Sequence, residues 1–318
     1  MSERLAIIIP AYKSLYLKDT LQSFVDQTNK SFVLYIGDDA SPNDLFSIIN
    51  EFQGKLNIVY KRFDENLGGQ NLVAHWNRCI KMCQEEEWIW LFSDDDLLTP
   101  DCVESFYSQL ELFPNEDVFH FEVDIIDGYN QIMPNNYDIF PDKLPSNEYF
   151  KRRMKMEIKS FVVEYIVRKT IFYGLGEFEY FDLAWGADDV AWIKFSQNQG
   201  IKSIRGAKVN WRLSDSNISS IEENPGIVLR KLDANIAYLL WVDNFFKIKR
   251  IEDLTSESDK FRFVFAIIQR ASLFNIKQKV QIAFQTLDKL SYNNKYKIIL
   301  GVIIKDCIRL TKQVVNVK

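Results

Sequence analysis

Three stretches of this chain are apolar without a break, and each stops abruptly. Leu5–Ile9 ends at Pro10, Phe32–Ile36 at Gly37-Asp38-Asp39, and Trp88–Phe92 at Ser93-Asp94-Asp95-Asp96. Uninterrupted apolar runs of this length indicate strands covered on both faces, and therefore a sheet sandwiched between helices. The intervening segments have helical spacing: Leu17, Leu21, Phe24 and Val25; Leu45 to Phe52; and Leu72, Trp76, Cys79, Ile80 and Cys83. A further strand is expected at Leu56–Tyr60, followed by a turn at Asn66-Leu67-Gly68-Gly69. Such β-α alternation with short connections defines a doubly wound α/β fold with a mostly parallel sheet and helices on both faces.

In sheets of this kind ligands bind beyond the carboxyl ends of the strands. Asp38, Asp39, Asp94, Asp95 and Asp96 all fall at such ends, so the topology gathers them on one edge. Crowded carboxylates repel one another and are costly to desolvate, so they call for a cation or a catalytic duty. Hard carboxylate oxygens suit Mg²⁺ or Mn²⁺. A solvated strand end with a helix cap is the other reading of Asp94-Asp95-Asp96. The chain has neither a G-x-x-x-x-G-K-[ST] loop nor a G-x-G-x-x-G fingerprint, so a nucleotide would be held some other way.

Beyond Pro100 the pattern loosens. A helix is expected over Asp101–Phe113 with Asp101 near its N-cap, strands at Val118–Val123 and Ser160–Val167, a loop or lid over 128–150, and a helix at Ala187–Gln197. From about residue 225, helical spacing dominates (Ile236, Leu239, Leu240, Val242; Phe261, Val264, Phe265, Ile267, Ile268). The expected organisation is a domain over 1–224, divided into a nucleotide-binding half (1–110) and an acceptor half (111–224), with a helical C-terminal extension over 225–318.

The chain has 318 residues, 47% of them apolar, which is ample for a large core. Its net charge of −5 argues against general nucleic-acid affinity. His75, Cys79 and Cys83 recur every four residues, but on a helix the outer two lie ~12 Å apart, too far to share one zinc ion. Together with Cys102 and Cys307 they form no C-x-x-C pair. No signal peptide or membrane-spanning run is evident, so a cytoplasmic setting is expected.

The ordered set LAIIIPAYKS, LQSFVDQTNKSFVLYIGDDAS, DENLGG and EEWIWLFSDDDLLTPD resembles family 2 glycosyltransferases of the GT-A fold. A fainter likeness continues through WGADDVAWIKFS to WRLSDSNIS. The resemblance implies a nucleotide-diphospho-sugar donor, specifically a UDP-sugar, and transfer with inversion to an acceptor hydroxyl in polysaccharide or glycolipid synthesis. It implies that Pro10, Ala11 and Tyr12 border the nucleobase and ribose, that Asp39 accepts a hydrogen bond from the base, and that Asn66, Gly68 and Gly69 bring backbone close to the nucleotide. Asp94 is expected near the ribose and Asp95 as the metal ligand. Phe92 stands where many members carry another aspartate, and Asp96 is an added carboxylate, so the ligand stays open within the triplet. Asp189 matches the catalytic base, with Asp188 as the fallback; a helix N-cap is the plainer reading.

Several readings stay open. Arg212 suits a diphosphate or a surface position beside Trp211. Lys151-Arg152-Arg153 with Lys155 and Lys159 suits an anionic acceptor such as a lipid diphosphate, or a solvated helix face. Trp185 and Trp192 suit a sugar ring or the core. The Lys295–Lys318 tail, with Lys297, Lys305, Arg309 and Lys312, suits peripheral contact with an anionic membrane or packing on the core. The expected partners are thus a nucleotide-sugar donor and a glycan or lipid-linked acceptor. A non-catalytic scaffold that binds nucleotide or glycan is the alternative to an enzyme.

Overall fold

The computed structural model describes residues 4–214, 220, 223–292 and 294–300. Its elements run β1 (Leu5–Ala11), α1 (Leu17–Val25), β2 (Phe32–Asp38), α2 (Leu45–Asn50), β3 (Ile58–Arg62), α3 (Leu72–Ile80), β4 (Trp88–Leu91), β5 (Leu97–Leu98), α4 (Cys102–Leu112), β6 (Val118–Ile126), β7 (Ile132–Met133), β8 (Lys143–Leu144), α5 (Ser146–Met154), β9 (Tyr165–Arg168), α6 (Lys169–Gly174), a 3-10 turn (Asp182–Ala184), α7 (Ala187–Phe195), β10 (Ile201–Arg212), α8 (Pro225–Lys249), α9 (Glu257–Arg270) and α10 (Ile276–Lys289). The main sheet has the strand order β3-β2-β1-β4-β9-β6-β10-β5.

The first four strands of that order are parallel, as the apolar runs require. The register sets Ala11 opposite Asp38 and Ile8 opposite Leu91, so the chain leaves β1, β2 and β4 at one edge. Strand β9 inserts antiparallel between β4 and β6, and β10 returns parallel to β6.

Strand alternation divides the core in two. Leu5, Ile7 and Ile9 of β1 bury against α1, α2 and α4 on one face. Ala6 and Ile8 point the other way, toward α3, α5 and α7. Close helix packing on that second face is visible at Gly37, where a Cβ would stand 2.3 Å from the Cys79 sulfur.

Two expectations are corrected here, and one strand was missed. Residues 128–150 are not simply a loop, since they carry β7, β8 and the start of α5. The strand expected from Ser160 begins only at Tyr165. The twelve-residue β10 was not anticipated at all. The expected C-terminal helices are present as α8, α9 and α10, and Leu239, Val264, Ile268 and Leu287 from them belong to the same core as Ile8 and Trp192. Cys307, Lys305, Arg309 and Lys312 lie outside the described residues. Among the described residues no helix is long and apolar enough to cross a membrane.

Candidate active site

The strand ends open into a cleft of about 860 Å³ lined by Pro10, Tyr12, Asp39, Asn66, Gly68, Gly69, Asp94, Asp95, Asp96, Asp188 and Asp189. Of the five strand-end aspartates expected on one edge, Asp39, Asp94, Asp95 and Asp96 line the cleft and Asp38 does not. Ala11 is fully buried beneath the cleft floor.

The acidic turn after β4 organises this end of the cleft. Asp94 accepts the backbone N–H groups of Tyr12 and Lys13 at 2.8 and 2.6 Å, which ties the β1–α1 loop to the turn. The Lys13 ammonium reaches Asp95 at 2.6 Å. Asp96 is turned inward and accepts the Ser93 hydroxyl and the Arg212 N–H. Burial, then the neighbouring Asp95 charge, pushes Asp94 up to about 6 and Asp96 up to about 8.

Arg212 is neither on the surface nor among the cleft-lining side chains. It is fully buried. Its guanidinium donates to the carbonyls of Asp95 and Asp127 and stacks 4.1 Å over the Tyr16 ring, so it braces the acidic turn from beneath.

Asp38 and Asp39, adjacent in sequence, do different things. Asp38 is wholly buried and accepts from Tyr60, Arg62 and the Ser41 N–H, which makes it a structural anchor. Asp39 accepts the N–H groups of Leu67 and Gly68 at 2.9 and 2.8 Å and pairs with Arg78. Here glycine is required, because a Cβ on Gly68 would lie 2.6 Å from the Asp39 carboxylate. Asn66 closes the turn by accepting the Gly69 N–H. Burial holds His75 down at about 4, so its neutral ring accepts from Arg78 and helps aim that guanidinium. The His75–Cys79 contact of 3.7 Å lies inside the helix packing.

The opposite wall carries the second acidic pair, at the start of α7. Asp189 is gripped by the Arg153 fork at 2.7 and 2.8 Å and also accepts the Tyr149 hydroxyl. Arg153 and Asp189 are both largely buried. Asp188 is part-exposed to the cleft, and among the described residues no other side chain hydrogen-bonds its carboxyl. Burial, then the Asp189 charge, pushes Asp188 up to about 7. Leu183 and Ala184, just before this helix, hold left-handed backbone (φ 60° and 55°) in the same wall. Trp185 also lines it and donates to Asn235 of α8, whereas Trp192 is core, stacked on Tyr165.

Sequence reasoning missed Lys13 and Tyr149, and it read Arg153 only as part of a basic run. Lys13 lay within the quoted IIIPAYKS segment, but nothing in its spacing tied it to Asp95.

Among the described residues no three His, Cys, Asp or Glu side chains form a ready-made metal cage. The donor set does fit a hard divalent cation held by one carboxylate plus donor phosphates. Asp95 faces the cleft with a cationic group already against it, while Asp94 and Asp96 are occupied by backbone N–H groups.

The family model described as glycosyl transferase family 2 matches residues 6–167. The chain belongs to that family and is a glycosyltransferase that takes its sugar from a nucleotide-linked donor. It is 24% identical to an uncharacterized glycosyltransferase of Rickettsia typhi, over 70% of this chain and 68% of that one. It is 22% identical to glycosyltransferase GlyG of Streptococcus pneumoniae serotype 4, over 48% of this chain and 51% of GlyG. Among solved structures, S. aureus TarS 1-349 in complex with UDP-GlcNAc matches with a TM-score of 0.62 at 14% identity, covering 90% of this chain and 81% of that chain. At that identity the structural likeness speaks to fold alone, and the fold it supports is the GT-A type.

Proposed function

We propose that the chain transfers a sugar from a UDP-sugar to an acceptor hydroxyl with inversion, in the assembly of a polysaccharide or glycolipid. The observation that carries this reading is the single cleft shared by the strand-end aspartates and the α7 aspartates. The TarS complexes with UDP-GlcNAc and UDP favour a uridine nucleotide. Pro10, Tyr12, Asp39 and the Asn66–Gly69 turn hold the base and ribose, with Asp94 fixing the loop on which Tyr12 and Lys13 sit. Asp95 would hold Mn²⁺ or Mg²⁺, with Lys13 beside it to meet phosphate. A bound divalent cation neutralises charge developing on the departing diphosphate.

Asp188, rather than Asp189, takes the proton from the acceptor hydroxyl. Its carboxyl faces the cleft and is poised near neutrality, as a general base requires. Asp189 has both oxygens committed to Arg153 and Tyr149, and it serves as the electrostatic anchor that raises its neighbour.

Calorimetric titration with UDP, with and without Mn²⁺, tests the donor half. Wild type is expected to bind UDP more tightly with Mn²⁺, and Asp95→Ala to lose that gain. UDP release from a panel of UDP-sugars then separates an enzyme from a scaffold: binding with no turnover on any donor and acceptor would favour the scaffold.

A further inference from the structure

The acceptor end of the cleft gathers positive charge. Arg153, Lys159 and Arg270 all line it, the first two from α5 and the segment after it, the third from the last turn of α9. Arg153 is committed to Asp189. Lys159 has no carboxylate partner among the described residues; its ammonium lies 4.8 Å over the Tyr137 ring and 5.8 Å from the centre of Phe161. Phe161 is itself stacked on Trp211 at 4.0 Å, so the amine rests on a rigid aromatic ledge. Burial, and then the like charges of Arg153 and Arg270, lower the Lys159 pKa, so an anion placed here relieves a repulsion already present. Past Tyr137, Lys159 and Phe161 the surface continues into a second cavity of about 160 Å³, which leaves room for more of the acceptor.

We propose that Lys159 and Arg270 form a phosphate-binding subsite for the acceptor. In this reading, which rests on the transferase assignment above, the hydroxyl that gives its proton to Asp188 belongs to a molecule carrying a phosphate nearby. That phosphate is either a diester in a water-borne polymer or the headgroup of a lipid-linked sugar. The aromatic ledge stacks on the sugar face while the two cations take the anion.

The test uses the full chain saturated with UDP and Mn²⁺, so that the donor site is closed. Glucose 1-phosphate and methyl glucoside serve as matched charged and neutral probes in calorimetry. Wild type is expected to prefer the phosphate by about tenfold or more, as a charge-assisted contact implies. Lys159→Gln and Arg270→Gln should each erase most of that preference while UDP affinity and melting temperature stay unchanged. Competition by phosphatidylglycerol vesicles would assign the site to a lipid-borne phosphate, and its absence to a water-borne one; either supports the subsite. Equal affinity for the two probes, or a preference that survives both substitutions, overturns it. Failure of wild type to bind UDP would instead overturn the donor reading.

Discussion

Neutralising each member of the α7 acidic pair in turn should give opposite phenotypes. Asp189→Asn removes the charge that balances Arg153, leaving a largely buried guanidinium facing an amide where it had two charged contacts at 2.7 and 2.8 Å. Breaking a buried pair from one side costs about 3–5 kcal/mol, or roughly two to four powers of ten in the folding constant. Asp188→Asn breaks no side-chain hydrogen bond. Its carboxyl has a raised pKa in the folded chain, about 7 against 3.8, so wild type loses stability relative to this variant as pH climbs through that interval. Asp188→Asn should therefore match wild type at pH 4 and be the more stable protein at pH 8. Its turnover should fall by about 10²–10⁴, the usual share of a general base. Wild-type kcat/KM should rise with pH and level off above about 7. Urea unfolding followed by tryptophan fluorescence, alongside UDP release, measures both effects. Adding Arg153→Met to Asp189→Asn should cost less than Arg153→Met alone, which exposes the coupling. A stable, inactive Asp189→Asn beside a fully active Asp188→Asn would show that the roles are reversed.

Two other outcomes follow from packing. Gly68→Ala sets a methyl 2.6 Å from the Asp39 carboxylate, so the Asn66–Gly69 turn must shift; about 1–3 kcal/mol of stability and, on the proposed function, a weaker UDP titration are expected. Leu239→Ala empties a fully buried site in α8 and should cost about 2–5 kcal/mol. Because α8 shares its core with the sheet, that loss should move one common transition in urea rather than melt a separate helical unit.

The first hundred residues were legible because their strands are written as unbroken apolar runs with hard stops at Pro10 and Gly37. Strand β10 was hidden by its own irregularity. It carries Lys202, Arg205 and Lys208, and its register shifts between Ile204 and Lys208 beside Gly206, which destroys any two-residue period. Helix α5 reads as SNEYFKRRM, a polar string after an Asn- and Pro-rich stretch, and only Tyr149, Phe150 and Met154 betray its buried side. The two acidic clusters could be found because family spacing marks them. What separates Asp188 from Asp189 could not, since it depends on Arg153 and Tyr149, some forty positions upstream in a segment that looks solvated.

Phe263, Ile267 and Arg270 of α9 form the far side of the cleft, while every residue proposed to hold the nucleotide lies in the first hundred residues. On the proposed function, sugar supply and choice of recipient are encoded in stretches of chain that can diverge independently. Exchanging α8 and α9 between relatives, along with the α7 surface they rest on, should transplant the recipient and leave the donor as it was.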